Sequence, residues 1–163
     1  MSSEPALPTT SRVTLRPPTR DDLEAYVRLE TDSEVRRYLG GPSCEATVAA
    51  IRASTPTPRW GRYVVAPTET DQLMGALFLK RERDELEVGY LFLPEYWGRG
   101  LAFEAVGALL RWVSETCTDK EIVAVTQTAN ERSVRLLARL GFTERQRMEE
   151  FGAEQAVLVR QLG

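Results

Sequence analysis

The chain has 163 residues, 42% of them hydrophobic and 28% charged, with a net charge of −3, two cysteines and no histidine. That size and balance suit one globular domain with one sizeable core, and lysines and arginines scattered among acids exclude a general nucleic-acid binder. Without histidine there is no Ser-His or Cys-His nucleophile pair and no His-based zinc site, and Cys44 and Cys117 supply neither a disulfide framework nor metal-ligand spacing, so no metal is expected.

Met1 to Ser11 are polar and proline-containing. They lack the basic start and apolar run of a signal peptide, and are expected to form a flexible arm ahead of one domain over 12–163. No stretch approaches the ~20 apolar residues of a membrane span, so a cytoplasmic protein with no membrane partner is expected. Arg12 to Arg16 alternates apolar and polar residues and predicts a first strand. Thr19 and Asp22 form a capping-box pattern with Asp in place of Glu, and Leu23, Tyr26 and Val27 follow at helical spacing, giving a helix over Arg20 to Glu30. A second helix is expected over Ser33 to Leu39, ended by Gly40-Gly41-Pro42, and a third over Glu45 to Ala53.

Three strands follow: Arg62 to Ala66, Gln72 to Lys80 and Glu85 to Leu93, joined by short polar links suited to antiparallel hairpins. Pro94 ends the third, and the turn Glu95 to Gly100 leads into an apolar helix from Leu101 to Glu115. A strand over Ile122 to Thr126, a helix from Asn130 to Leu140 with Gly141 in the C′ place, and strands Phe142 to Met148 and Ala156 to Arg160 complete the chain. The order predicts an α+β domain with a mixed, mostly antiparallel sheet of about seven strands flanked by helices.

The informative segment is Glu85 to Ala105, where a strand, a turn with two glycines and a helix start succeed one another. The first turn of a helix has N–H groups without intrahelical partners and sits at the positive end of the dipole. Glycine lets such a backbone approach a ligand, so the turn suits phosphates, with Arg99 available for a charge-assisted contact. No Gly-Lys-Ser/Thr follows, which excludes a Walker loop, and the glycine spacing is not that of a dinucleotide fingerprint.

Trp97-Gly98-Arg99-Gly100-Leu101-Ala102 resembles the cofactor loop of the GNAT superfamily of N-acetyltransferases, Gln/Arg-x-x-Gly-x-Gly/Ala, apart from Trp97 in the first place. Glu87-Val88-Gly89-Tyr90 with Tyr96 to Ala105 is similar to the RimJ and RimL type protein N-terminal acetyltransferases. Asn130 to Phe142 resembles a second family pattern, Asn-x-x-Ser with a closing Leu-Gly-Phe. The resemblance spans the chain from Arg12 and implies a three-layer GNAT domain with acetyl-CoA as cosubstrate.

Carried over position by position, the resemblance implies that the pantetheine arm pairs with backbone of Leu91, Phe92 and Leu93. The loop Trp97, Gly98, Arg99, Gly100, Leu101 and Ala102 takes the pyrophosphate, Asn130 reaches the pantetheine region, and Ser133 lies near the thiol. An attacking amine must lose a proton, and Glu87 is the expected base, with Glu85 on the same strand face as its competitor. Relatives use a tyrosine four residues after the serine to protonate the thiolate. Leu137 stands there, which leaves Ser133 as a hydrogen-bond donor. The expected acceptor is a peptide N-terminus, an amino acid or a small amine. A non-catalytic acyl-CoA sensor and an antibiotic-modifying acetyltransferase are the other readings, and pairing of late strands implies a possible homodimer.

Overall fold

The structure, a computed structural model, describes residues 5–163. Seven strands form one sheet in the order β1-β2-β3-β4-β5-β7-β6: β1 Val13–Arg16, β2 Arg62–Pro67, β3 Gly75–Glu82, β4 Glu85–Phe92, β5 Glu121–Gln127, β6 Thr143–Glu150 and β7 Ala153–Gln161. Every neighbouring pair is antiparallel except β4 and β5. Their crossover is α3 (Leu101–Thr116), the kind of connection a parallel pair requires. The α+β fold with a mixed sheet is therefore as expected.

Helices α1 (Leu23–Thr31) and α2 (Glu45–Ala53) precede β2, and α4 (Glu131–Arg139) follows β5. Strand alternation sorts the core into two layers. Val65, Leu77, Val88 and Phe92 pack with Val106, Leu109 and Leu110 of α3 and with Leu137 of α4, while Val64, Ala76 and Leu93 pack with Leu29 of α1. The α3 stripe is almost wholly buried, which explains its run of apolar residues.

Two expectations change. Ser33 to Leu39 is a series of turns rather than a helix. The Asp32 carboxylate accepts from the Glu34 and Val35 N–H groups at 2.9 and 3.0 Å, and Leu39 closes a four-residue turn on Arg36. So short a segment gains too little burial to offset helix nucleation, and Leu39 stays 48% exposed. Within the expected arm, residues 1–4 lie outside the described residues. The rest of the arm holds to the domain: Leu15 N–H donates to the Pro8 carbonyl at 3.1 Å and Leu7 packs against the main core.

The entry to α1 is locked by Asp22, which is buried although charged. Burial alone would raise its carboxyl, but a two-pronged Arg16 contact at 2.7 and 2.8 Å and the Thr19 N–H at 2.6 Å hold it below the usual range. This is the capping-box pattern read from Thr19 and Asp22.

Candidate active site

The parallel ladder between β4 and β5 holds at one place, Glu87 opposite Val123, and the strands part beyond it. A cleft of about 1400 Å³ passes through this splay and reaches both faces of the sheet. Glu87, Tyr90, Leu91, Phe92, Trp97, Gly98, Gly100, Leu101, Ala102, Asn130 and Ser133 all line it, whereas Arg99 and Leu93 do not.

Register decides which backbone groups face the gap. Leu91 pairs with Ala76, and the Leu91 carbonyl points at β3, 2.6 Å from where a Cβ on Gly75 would lie. Leu93 N–H donates to the Met74 carbonyl at 2.9 Å. Alternation then turns the N–H groups of Tyr90 and Phe92 toward the splay. The Phe92 carbonyl is already taken by the Trp97 indole N–H at 2.8 Å. The expectation that backbone of Leu91 and Leu93 meets a pantetheine arm is corrected accordingly: those groups serve the β3–β4 ladder, and Tyr90 and Phe92 present the open edge.

After Phe92, Pro94–Tyr96 forms one short 3₁₀ turn, and Gly98 and Gly100 both adopt φ +74°. That left-handed backbone is natural for glycine and sets Gly100 immediately before α3. Among the described residues, the Gly98, Arg99 and Gly100 amides donate to no backbone carbonyl, and those of Leu101 to Phe103 fall in the unpaired first turn. Nothing lies within 4 Å of a Cβ placed at Gly98. The result is a cradle of unused N–H groups at a helix N-terminus, a fit to a phosphate-bearing group. The Glu104 carboxylate is engaged elsewhere, accepting from Thr10 Oγ1 at 2.5 Å and Arg12 Nε at 3.0 Å, while Arg12 Nη1 donates to the Arg99 carbonyl at 2.8 Å. These contacts pin the loop from behind.

Asn130 caps α4, its Oδ1 accepting from the Ser133 N–H at 3.2 Å. The Arg132 guanidinium lies 4.6 Å from the Trp97 ring centroid and joins α4 to the loop. Tyr90 is a site residue that the sequence does not single out: its hydroxyl and the Ser133 hydroxyl are 2.6 Å apart. Burial pushes the Tyr90 phenol up to about 12, with the Ser133 hydrogen bond opposing, so it is neutral at ordinary pH. No local pattern could reveal this, because the pair joins strand to helix across the cleft. Leu137 is 1% exposed and sits in the main core.

Glu87 lies on the opposite sheet face from Tyr90, opposite Lys80 on β3. Burial raises its carboxyl above the usual range, Lys80 Nζ at 3.7 Å pulls it down, and Glu82 pushes it up again. Glu85 does not line the cleft; it pairs with Arg145 at 2.8 Å. The two carboxylates that sequence alone could not separate thus have different surroundings. Among the described residues, no group of three or more Cys, Asp or Glu is placed to hold a metal ion.

The fold and cleft define an acyl-transferring domain, and the comparisons agree. A sequence model described as an acetyltransferase (GNAT) domain matches residues 12–143, and the chain belongs to that family of acetyltransferases. It is 31% identical over 145 residues to the uncharacterized N-acetyltransferase YoaA of Bacillus subtilis, covering 82% of this chain and 80% of the relative. An acetyltransferase from Agrobacterium tumefaciens superposes with a TM-score of 0.80 at 26% identity, over 98% of this chain and 95% of the other. A spermidine N-acetyltransferase from Vibrio cholerae, solved with CoA and spermine, shares the fold with a TM-score of 0.76 at 20% identity, over 94% and 97% of the two chains.

Proposed function

We propose that this acetyltransferase moves the acetyl group of acetyl-CoA onto a primary amine by direct attack on the thioester. The observation that carries the reading is the splay itself. Glu87 opens onto it from one face, the Tyr90–Ser133 pair from the other, and the loop of unused amides lies at one end. Acetyl-CoA supplies an activated acyl carbonyl and a thiolate leaving group; the rest falls to this chain. The Vibrio relative, solved with CoA in the same fold, supports a CoA-shaped cleft.

The amides from Gly98 to Ala102 hold the pyrophosphate; the Arg99 side chain, which does not line the cleft, takes no part. The splay-facing N–H groups of Tyr90 and Phe92 align the pantetheine arm, and the Tyr90 N–H polarises the acyl oxygen. Asn130 uses its carbonyl oxygen on the helix, which leaves its amide N–H groups for the arm. The acceptor arrives as an ammonium. Glu87 takes one ammonium proton, directly or through a water; the freed lone pair forms the C–N bond as the C–S bond breaks, and the second proton on that nitrogen passes to the departing thiolate, giving the amide and the CoA thiol. The thiolate has a conjugate-acid pKa near ~8.5, so it needs only modest help. Ser133, held by Tyr90, donates a hydrogen bond to it.

The Glu-Val-Gly-Tyr and Trp-Gly-Arg-Gly strings favour a RimJ/RimL-like peptide N-terminus as acceptor, acting in the cytoplasm. Assembly as a homodimer through the late strands, where β6 leaves an open sheet edge, completes the reading. The deciding experiment follows released CoA thiol with acetyl-CoA and a panel of peptides, amino acids and polyamines. Amine-dependent release is expected. Binding of acetyl-CoA with no release for any amine would overturn catalysis and leave a non-catalytic acyl-CoA sensor.

A further inference from the structure

The wall of the cleft on the Glu87 side has an uneven charge balance. Two of its carboxylates are already matched: Glu30 accepts from Ser43 at 2.5 Å and pairs with Arg36 at 3.5 Å, and Glu87 faces Lys80. Among the arginines lining the cleft, Arg37, Arg59 and Arg62 have no carboxylate within ion-pair distance among the described residues, and Arg62 lies on the Glu87 face of the sheet. One carboxylate, Glu34, is likewise unmatched. The surplus is cationic, and a polyamine or an aminoglycoside would meet repulsion rather than a ring of acids.

Arg62 is the best placed of the three. It projects from β2 opposite Phe78, with its guanidinium 5.1 Å from the Phe78 ring centroid and its charge felt by the Tyr26 hydroxyl. Phe78 in turn lies opposite Gly89, two residues from Glu87 on the same face of β4. Two strand spacings, about 10 Å, therefore separate the Arg62 backbone from β4. The long Arg62 side chain shortens the gap at its tip, leaving several bonds' length between an amine held at Glu87 and an anion held at Arg62. Stacking on Phe78 and contact with the Tyr26 hydroxyl preorganise the guanidinium, whose remaining N–H groups suit a planar or tetrahedral oxyanion.

We infer that the acceptor is an amine that also carries an anionic group, a carboxylate or a phosphate, several bonds from its amino nitrogen, bound by Arg62 and Arg59. The inference rests on the proposed amine acetylation and narrows its acceptor. The anion can belong to a small amino acid or to an acidic side chain near a peptide N-terminus, and the shared chemistry is the same.

The test measures thiol release with acceptors of matched size and different charge. One arm uses the peptides Ala-Gly-Glu, Ala-Gly-Gln and Ala-Gly-Lys as amides; a second uses small ω-amino acids against their amides; spermidine is the polycation. The acidic member of at least one arm should exceed its neutral isostere about tenfold or more in kcat/KM, the scale of one ion pair, and high salt should erode the preference. The arm showing the preference identifies the source of the anion. Arg62→Gln should shrink the acidic-to-neutral ratio about tenfold, Arg59→Gln should shrink it less, and Arg62→Glu should turn the preference toward the lysine peptide. Spermidine or the lysine peptide as the best wild-type acceptor would overturn the inference. So would an unchanged ratio in both glutamine variants. Either result leaves amine acetylation standing, whereas no thiol release from any amine overturns both proposals.

Discussion

Glu87→Gln removes a charge while keeping the side chain's shape. The Glu87 side chain is 22% exposed, and burial is the largest influence on its carboxyl, pushing it above its ordinary 4.5. Lys80 opposes this from 3.7 Å, but its side chain is 58% exposed. Its attraction is therefore about 1 kcal/mol in a water-like dielectric, too little to cancel desolvation. A base works only when ionised, so kcat/KM should climb with pH on a limb lying above the usual carboxylate range and then level off. Glutamine cannot take a proton, so kcat/KM should drop ~10²-fold or more, about 2.7 kcal/mol in barrier height, and that limb should vanish.

Stability should move the other way. A raised carboxyl binds its proton more tightly in the folded chain, so the ionised form opposes folding. That cost is absent below the ordinary carboxylate pKa and complete above the raised one. The variant should melt no lower than wild type at neutral pH, and any advantage should disappear in acid. The assays are thiol release across pH and thermal melts at neutral and acidic pH. An unchanged rate and an unchanged acidic limb would remove Glu87 from the chemistry.

Other substitutions probe the rest of the site and its frame. Gly100→Asp should fold, since Asp tolerates φ +74° at about 1 kcal/mol and its Cβ would meet only the Arg12 guanidinium at 3.5 Å, but it adds a negative charge to the loop proposed for the pyrophosphate; acetyl-CoA should then raise the melting temperature less than in wild type. Equal shifts in variant and wild type would take the loop out of the site. Tyr90→Phe deprives Ser133 of its 2.6 Å partner and should lower kcat about tenfold with little change in KM for acetyl-CoA. The deficit should shrink with an acetyl thioester of a more acidic thiol, and wild-type turnover would refute the pairing's role. Gly61→Ala places a Cβ 2.3 Å from the Leu79 carbonyl oxygen at φ +89° and should cost about 3 kcal/mol. A melting curve superimposable on wild type would contradict the close β2–β3 approach.

What depends on near neighbours along the chain is legible in the residues themselves. Alternation in Glu85–Phe92, the buried stripe of α3 and the Gly98–Gly100 turn are local patterns, and they announce a strand, a helix and a glycine turn at the helix N-terminus. Ser33 to Leu39 departs from its helical spacing because the spacing is local while burial belongs to the whole molecule. The rest of the site comes from packing. Glu85 and Glu87 share a strand face, and only the approach of Arg145 to one and of the cleft to the other sets them apart. Leu91 and Tyr90 are adjacent residues, yet pairing with β3 spends the backbone of one and leaves the other open to the splay. Tyr90 meets Ser133 from 43 residues away, and Arg62 shares a wall with Glu87 through an intervening strand. Such contacts are set by sheet order and register, which are properties of packed elements rather than of any window of sequence.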